Sequence, residues 1–184
     1  KEAHRKMLAA IATNAGGIKV LRYGLTRDWV TSLTVVTGTG QILNLNNSLV
    51  KNATGYDLRH LFIGSEGTLG FITEATIQLT NPPKGLEILF LASDSLENVM
   101  STFQNFNSKT KICAFEMVSD MALSKVLENT KLPDPFDKKH PYYMVVEIEK
   151  SSHIDEEDIQ KALEFAFENN YISDGLIAQS EQQG

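Results

Sequence analysis

The chain has 184 residues, enough to bury one sizeable core or two small ones. Its 42% hydrophobic and 22% charged residues are ordinary globular usage, which excludes a disordered or fibrous protein. A formal charge of −6 without any basic, aromatic-interleaved stripe argues against a nucleic-acid partner. No apolar run approaches the roughly 20 residues of a membrane-spanning helix.

The charge is unevenly placed. Residues 1–80 carry eight Lys/Arg against five Asp/Glu, whereas residues 81–184 carry nine against eighteen. The leading part is therefore the expected host for an anionic ligand. The single cysteine, Cys113, allows no internal disulfide and lies in an apolar run, so a buried thiol in a reducing compartment is expected. No signal-peptide pattern opens the chain, which points to a soluble intracellular domain. His4, His60, His140 and His153 are scattered out of any metal-binding register, and no metal site is expected.

In chain order, Met7, Leu8 and Ile11 fall at helical offsets and predict a short helix. Asn14-Ala15-Gly16-Gly17 is a turn signal. Residues 31–36 and 41–45, around Gly38-Thr39-Gly40, predict a β-hairpin in which Leu43 and Leu45 share a buried face. Asn46-Asn47-Ser48 and Lys51-Asn52 read as a polar loop, and residues 58–62 as a helical turn. Gly64, Gly67 and Gly70 then recur every third residue, opening the backbone while leaving Ser65, Glu66 and Thr68 as polar contacts. Bare amides in such a bend can form a concavity suited to a pyrophosphate. Beyond it, the alternation of Phe71, Thr73, Ala75, Ile77 and Leu79 predicts a strand that ends at Asn81-Pro82-Pro83.

From Leu86 onward, strand and helix alternate. Strands are predicted at 86–91, 111–118, 142–148 and 176–178. Helices are predicted from a Ser93 or Asp94 cap through Phe106, over 120–128, and over 151–169 with an acidic first turn. This pattern describes helices layered on one face of a sheet.

Three nucleotide or nucleophile motifs can be excluded by letter. No lysine lies between Lys51 and Lys84 to complete a Walker loop. Leu43 stands where a Rossmann fingerprint begun at Gly38 and Gly40 needs its third glycine. Ile63 replaces the first glycine of a nucleophile elbow around Ser65.

A fourth pattern fits. Gly55-Tyr56-Asp57-Leu58, the run from Leu61 through Ser65-Glu66-Gly67-Thr68-Leu69-Gly70, and Ile72-Thr73-Glu74 resemble the flavin-binding signature of the FAD-linked oxidases of vanillyl-alcohol-oxidase type. Ala12-Thr13-Asn14-Ala15-Gly16-Gly17, Leu21-Arg22-Tyr23-Gly24 and Arg27-Asp28 complete the same pattern upstream. Ala114-Phe115-Glu116, Pro141-Tyr142-Tyr143, Glu147 and Asp174-Gly175 are similar to the D-2-hydroxyglutarate and D-lactate dehydrogenase branch.

The resemblance implies an α+β protein. Residues 1–82 would be the C-terminal part of an FAD-binding domain of mainly antiparallel strands, and residues 83–184 a partial α+β cap. It implies FAD as cofactor, contacted by Thr13, Asn14, Ala15 and Gly16 on one loop and by Glu66, Gly67, Thr68, Leu69, Gly70, Phe71 and Ile72 on the other. Glu66 would bond a cofactor hydroxyl, while Gly67, Gly70 and Ile72 would act through their backbone. The implied reaction is oxidation of a D-2-hydroxy acid to the 2-oxo acid, with hydride passing to the flavin and onward to an unidentified electron acceptor. General base, substrate arginine and metal ligands would lie outside this stretch, so no residue here is expected to be catalytic. The chain reads as an internal fragment, inactive alone, of a cytoplasmic or mitochondrial-matrix enzyme. Two other readings stay open: a flavoprotein with non-redox ether-lipid chemistry, and a non-catalytic association domain built on the acidic last helix.

Overall fold

The computed structural model describes residues 2–46, 55–83, 85–150 and 156–178. The expected polar loop at Asn47, Ser48, Lys51 and Asn52, and the expected helix start at residues 151–155, lie outside them. The chain divides into two compact units: Lys1–Gly17 with Gly24–Asn81, and Ile18–Tyr23 with Pro82–Gly184.

The first unit is a three-stranded antiparallel sheet with helix α1 (Glu2–Ala12). Strand β1 (Val30–Thr37) lies between β2 (Ile42–Asn46) and β3 (Gly70–Ile77). The tight turn after Thr37 sets the hairpin register, with Val35 opposite Leu43 and Leu33 opposite Leu45. A short helix, α3 (Arg59–Phe62), feeds the glycine run before β3. Ile11, Val30, Leu33, Val35, Phe62, Ile63 and Ile72 form the core. Burial of such side chains contributes about 1.5–3 kcal/mol each.

One face assignment differs from the simple alternation. Along β3, Gly70 and Ile72 point into the core while Phe71 is 73% exposed. Thr34 pairs with Glu74 but Val35 pairs with Ile72, so Thr73 is an extra residue on the β3 side. That bulge shifts the pleat by one position, which is why Ala75 and Ile77 turn inward although Phe71 and Thr73 do not.

The second unit is a four-stranded antiparallel sheet ordered β5-β6-β4-β7, from β4 (Leu86–Ser93), β5 (Ile112–Ser119), β6 (Tyr142–Glu149) and β7 (Asp174–Ile177). Leu89, Leu91, Met144, Val146 and Ile148 share one face with Val99 and Phe106 of α4 (Leu96–Lys109) and Ile159, Ala162 and Ala166 of α6 (Glu156–Glu168). The residues between them point the other way. There Phe90, Ala92 and Tyr143 pack with Phe136 and with Leu123 of α5 (Asp120–Thr130). Two helices thus cover one face, and α5 with the Phe136 loop covers part of the other.

The cap of α4 is Ser95, whose hydroxyl accepts the Asn98 amide at 3.1 Å, rather than Ser93 or Asp94. β4 runs on through Ser93, which is fully buried and donates to the Tyr171 carbonyl. Asp94 is taken by the Ser173 hydroxyl at 2.6 Å and lies 3.1 Å from His140 Nδ1.

Candidate functional site

Helix α1 ends in a left-handed residue. Asn14 has φ 49°, a conformation that Asn tolerates better than most residues. The Asn14 amide donates to Ile11 and the Ala15 amide to Ala10, the paired bonds of a Schellman ending. The Thr13 amide and hydroxyl both donate to the Ala9 carbonyl. Asn14 Oδ1 accepts the Arg27 amide at 3.1 Å, and the Ala15 carbonyl accepts the Thr26 hydroxyl at 2.7 Å. This first bend is therefore fixed from both sides.

The second bend is seated on the same helix end. The Gly64 amide donates to the Ile11 carbonyl at 3.1 Å, and the Glu66 amide to the Ala12 carbonyl at 2.9 Å. Carbonyls at a helix C-terminus lack intrahelical donors, and here the glycine run supplies them. Gly64, Glu66 and Gly67 have φ of 84°, 50° and 80°. A Cβ on Gly64 would lie 3.1 Å from Asn14 Cβ, so the two bends touch at that point. Ser65 and Thr68 close the run locally, their hydroxyls donating to Phe62 and Ser65 carbonyls at 2.8 and 2.6 Å.

These contacts bring the chain at residues 11–14, which carries Thr13 and Asn14, against the chain at residues 64–66, which carries Glu66. Among the described residues, the amides of Gly16, Gly17, Gly67 and Leu69 donate to no protein acceptor, and all four residues are exposed. Free amides beside left-handed backbone are the means by which a chain binds phosphate oxygens. Three further expected site residues lie at the start of β3. Gly70 is buried in β3, where a Cβ would lie 2.7 Å from Val35 Cγ1. Ile72 belongs to the core, and Phe71 points outward.

Two contributors were not singled out from sequence. Arg27 joins both bends, its amide bonded to Asn14 and its Nη2 reaching within 3.4 Å of the Ile63 carbonyl. Arg59 donates to the Val30 carbonyl at 2.8 Å while paired with Asp57, whose carboxyl it holds below the ordinary range. Arg27 stood within the resembling pattern, so its letter was visible although its role was not. The positive excess of residues 1–80 also looks different in three dimensions. Lys19 and Arg22 belong to the second unit and pair there with Glu147 and Glu149, and Arg59 is neutralised by Asp57.

Among the described residues, no three His, Cys, Asp or Glu side chains converge as a metal site, and no helix is long and apolar enough to cross a membrane.

Comparison with known proteins follows the same lines. Residues 5–46, which include the first bend, match the model of an FAD binding domain. The chain is 47% identical over 173 residues to a D-2-hydroxyglutarate dehydrogenase of Stutzerimonas stutzeri and 49% identical over 173 residues to one of Xanthomonas citri pv. viticola, covering 94% of this chain and 37% and 36% of theirs. The mitochondrial D-2-hydroxyglutarate dehydrogenase of Danio rerio is 37% identical over 171 residues, or 91% of this chain and 32% of that one. The chain thus spans about a third of the length of these relatives. The structure of an alkyldihydroxyacetonephosphate synthase superposes with a TM-score of 0.68 over 95% of this chain and 34% of that one, at 21% identity, a likeness of fold alone. Residues 83–184, more than half the chain, match the model of the FAD linked oxidases, C-terminal domain, and the chain belongs to the FAD-linked oxidases.

Proposed function

We propose that the full-length protein oxidises a D-2-hydroxy acid of the 2-hydroxyglutarate or lactate type to the 2-oxo acid, using FAD. The observation that carries this reading is the pair of bends joined at the end of α1, with amides at Gly16, Gly17, Gly67 and Leu69 that have no acceptor among the described residues. Two phosphates of a dinucleotide need several such donors, and amides without a protein acceptor support this reading. FAD bound there supplies the two-electron acceptor that a hydroxy-acid oxidation requires.

Thr13, Asn14, Ala15, Gly16, Glu66, Gly67, Thr68 and Leu69 are proposed as the cofactor-contacting set, with Glu66 accepting from a cofactor hydroxyl. Gly70, Phe71 and Ile72, at the start of β3, are proposed to complete that set, Gly70 and Ile72 through their backbone. Residues 1–82 are proposed as part of the FAD-binding domain and 83–184 as part of the cap. Electrons leave the flavin to a separate acceptor. The location is proposed as the mitochondrial matrix if the organism is eukaryotic, supported by the mitochondrial relatives of Danio rerio and Rattus norvegicus, and as the cytoplasm otherwise.

The test is the full-length protein purified and examined by visible absorbance. A bound-flavin spectrum that bleaches on anaerobic addition of D-2-hydroxyglutarate, D-lactate or glycolate is expected. Stoichiometric FAD that none of the three acids reduces would refute the substrate class, and absence of flavin would refute the cofactor.

A further inference from the structure

Arg27 carries its charge to the point where the two bends touch. It lies in a single 3₁₀ turn, Thr26–Asp28, which is tied to the first bend: the Arg27 amide donates to Asn14 Oδ1 at 3.1 Å and the Thr26 hydroxyl to the Ala15 carbonyl at 2.7 Å. The guanidinium reaches the second bend. Its Nη2 lies 3.4 Å from the Ile63 carbonyl and 3.8 Å from where a Cβ on Gly64 would stand. That Cβ would also lie 3.1 Å from Asn14 Cβ, which marks the contact between the bends. All of these residues belong to the first unit.

The charge is otherwise uncompensated. Among the described cations of the first unit, Lys6 pairs with Glu2 and Arg59 with Asp57, while Arg5 is exposed on α1. Lys19 and Arg22, before and within α2 (Val20–Tyr23), pair in the second unit with Glu147 and Glu149. Arg27 is partly buried and has no carboxylate within ion-pair distance among the described residues. The neighbouring Asp28 carboxylate is taken by the Leu25 amide at 2.8 Å. A guanidinium has five N–H donors, and the one protein acceptor here, the Ile63 carbonyl, stands at 3.4 Å, beyond the usual range of roughly 2.7–3.2 Å. A partly desolvated cation so loosely held favours an anion.

Resting on the functional reading above, we propose that Arg27 is a cofactor-binding residue, whose guanidinium is the counter-ion of the FAD pyrophosphate and complements the main-chain amides of the bends. The planar fork matches phosphate oxygens and stays charged at any working pH. Its bonds to phosphate are about twice as strong as neutral ones, so the long bond to Ile63 does not compete with them. The link to Asn14 is made by the Arg27 main chain and survives any side chain at this position. A substitution therefore removes the charge and leaves that joint in place.

The experiment uses the full-length, flavin-loaded protein, unaltered and with Arg27→Gln or Arg27→Lys. Release of FAD on dilution, followed by flavin fluorescence at low and high salt, gives the dissociation constant. Arg27→Gln is expected to weaken FAD binding about 10- to 100-fold, as loss of a charged hydrogen bond does. Arg27→Lys keeps the charge without the fork and should fall between. Added salt should weaken binding to the unaltered protein and to Arg27→Lys more than to Arg27→Gln, a difference that a side chain acting only through Ile63 would not produce. Unchanged affinity in Arg27→Gln would overturn the proposal, as would a loss with the salt dependence of the unaltered protein. If Arg27→Gln does not fold, Arg27→Lys decides: weaker binding with retained salt dependence supports the role, and unchanged affinity overturns it. An unaltered protein that takes up no FAD would refute the functional reading instead. Inorganic pyrophosphate is then the probe: protection of the unaltered protein against urea that Arg27→Lys reduces would keep the anion site, and protection absent or equal in both would overturn it.

Discussion

The amide of Glu66 donates to the carbonyl of Ala12 over 2.9 Å, which seats the second glycine bend on the last turn of α1. Together with the bond from Gly64 to Ile11, it makes the helix end a common platform for both bends. The platform has a steric limit at Gly64 that Gly67 lacks. Gly64→Ala adds a left-handed non-glycine residue, costing about 1–2 kcal/mol, and places Cβ 3.1 Å from Asn14 Cβ. Gly67→Ala meets nothing within 4 Å and bears only the conformational cost. Urea unfolding should therefore rank Gly64→Ala as the more destabilising, while flavin titration should show Gly67→Ala weakening binding beyond its stability loss. Equal stability costs would contradict the contact between the bends.

Glu66 separates stability from binding in another way. It holds φ 50° without being glycine or asparagine, so Glu66→Gly relieves backbone strain but adds freedom to the unfolded chain. These opposing effects leave stability within about 1 kcal/mol of the unaltered protein. The carboxylate is lost entirely. FAD affinity should fall for Glu66→Gly and fall less for Glu66→Gln, which keeps an acceptor oxygen. Unaltered affinity in both would mean that the side chain makes no cofactor contact.

Much of this was legible in the sequence because periodicity reports burial. The hairpin at β1 and β2, the strands β4 and β6, and the helix α4 could be read directly from the residue pattern. Four features left no such trace. The extra residue at Thr73 reverses which side of β3 faces the core, and nothing in Phe71-Ile72-Thr73 marks the slip. Ser95 rather than Ser93 caps α4, since the cap depends on where β4 ends. The bends meet through amides and carbonyls, which every residue carries, so no letter encodes their pairing. Lys19 and Arg22 find partners more than 120 residues away, a separation over which local pattern says nothing.

At the interface of α4 and α6, Asn105 donates from Nδ2 to the Ala162 carbonyl at 2.7 Å, while its Oδ1 is buried without a partner among the described residues. Ala162 lies inside α6, and its carbonyl keeps its own helical donor when Asn105 is replaced. Asn105→Leu removes an unsatisfied oxygen at similar volume and should be neutral or stabilising by about 1 kcal/mol. Asn105→Asp buries a carboxylate there and should cost at least about 2 kcal/mol at neutral pH. Denaturant midpoints for the two variants check the pair of signs. A strongly destabilised Asn105→Leu would show that the amide is required for helix registry.

Acid should loosen the second unit through Glu149 and Asp94. Hydrogen bonds from Arg22 and then Lys111 hold the Glu149 carboxyl below its ordinary range, although burial opposes them; Glu147, Lys19 and the buried Cys113 thiol are the other ionisable neighbours. The Ser173 hydroxyl, and after it His140, do the same for the exposed Asp94. Both groups bind protons more readily when unfolded, so they stabilise the fold above the ordinary carboxylate range. That contribution is lost as pH falls through their depressed values, over a window on the order of pH 5 down to pH 2. Lys19 and Arg22 are raised by their hydrogen bonds to Glu147 and Glu149, and their share is present below the ordinary basic range and lost only as pH rises through the raised values. Urea midpoints should hair-line flat from about pH 6 to pH 8 and decline toward pH 3. Glu149→Gln should start lower at pH 7 and decline less, because the group whose proton uptake drives part of the loss is gone. An equal decline in that variant would place the acid sensitivity elsewhere.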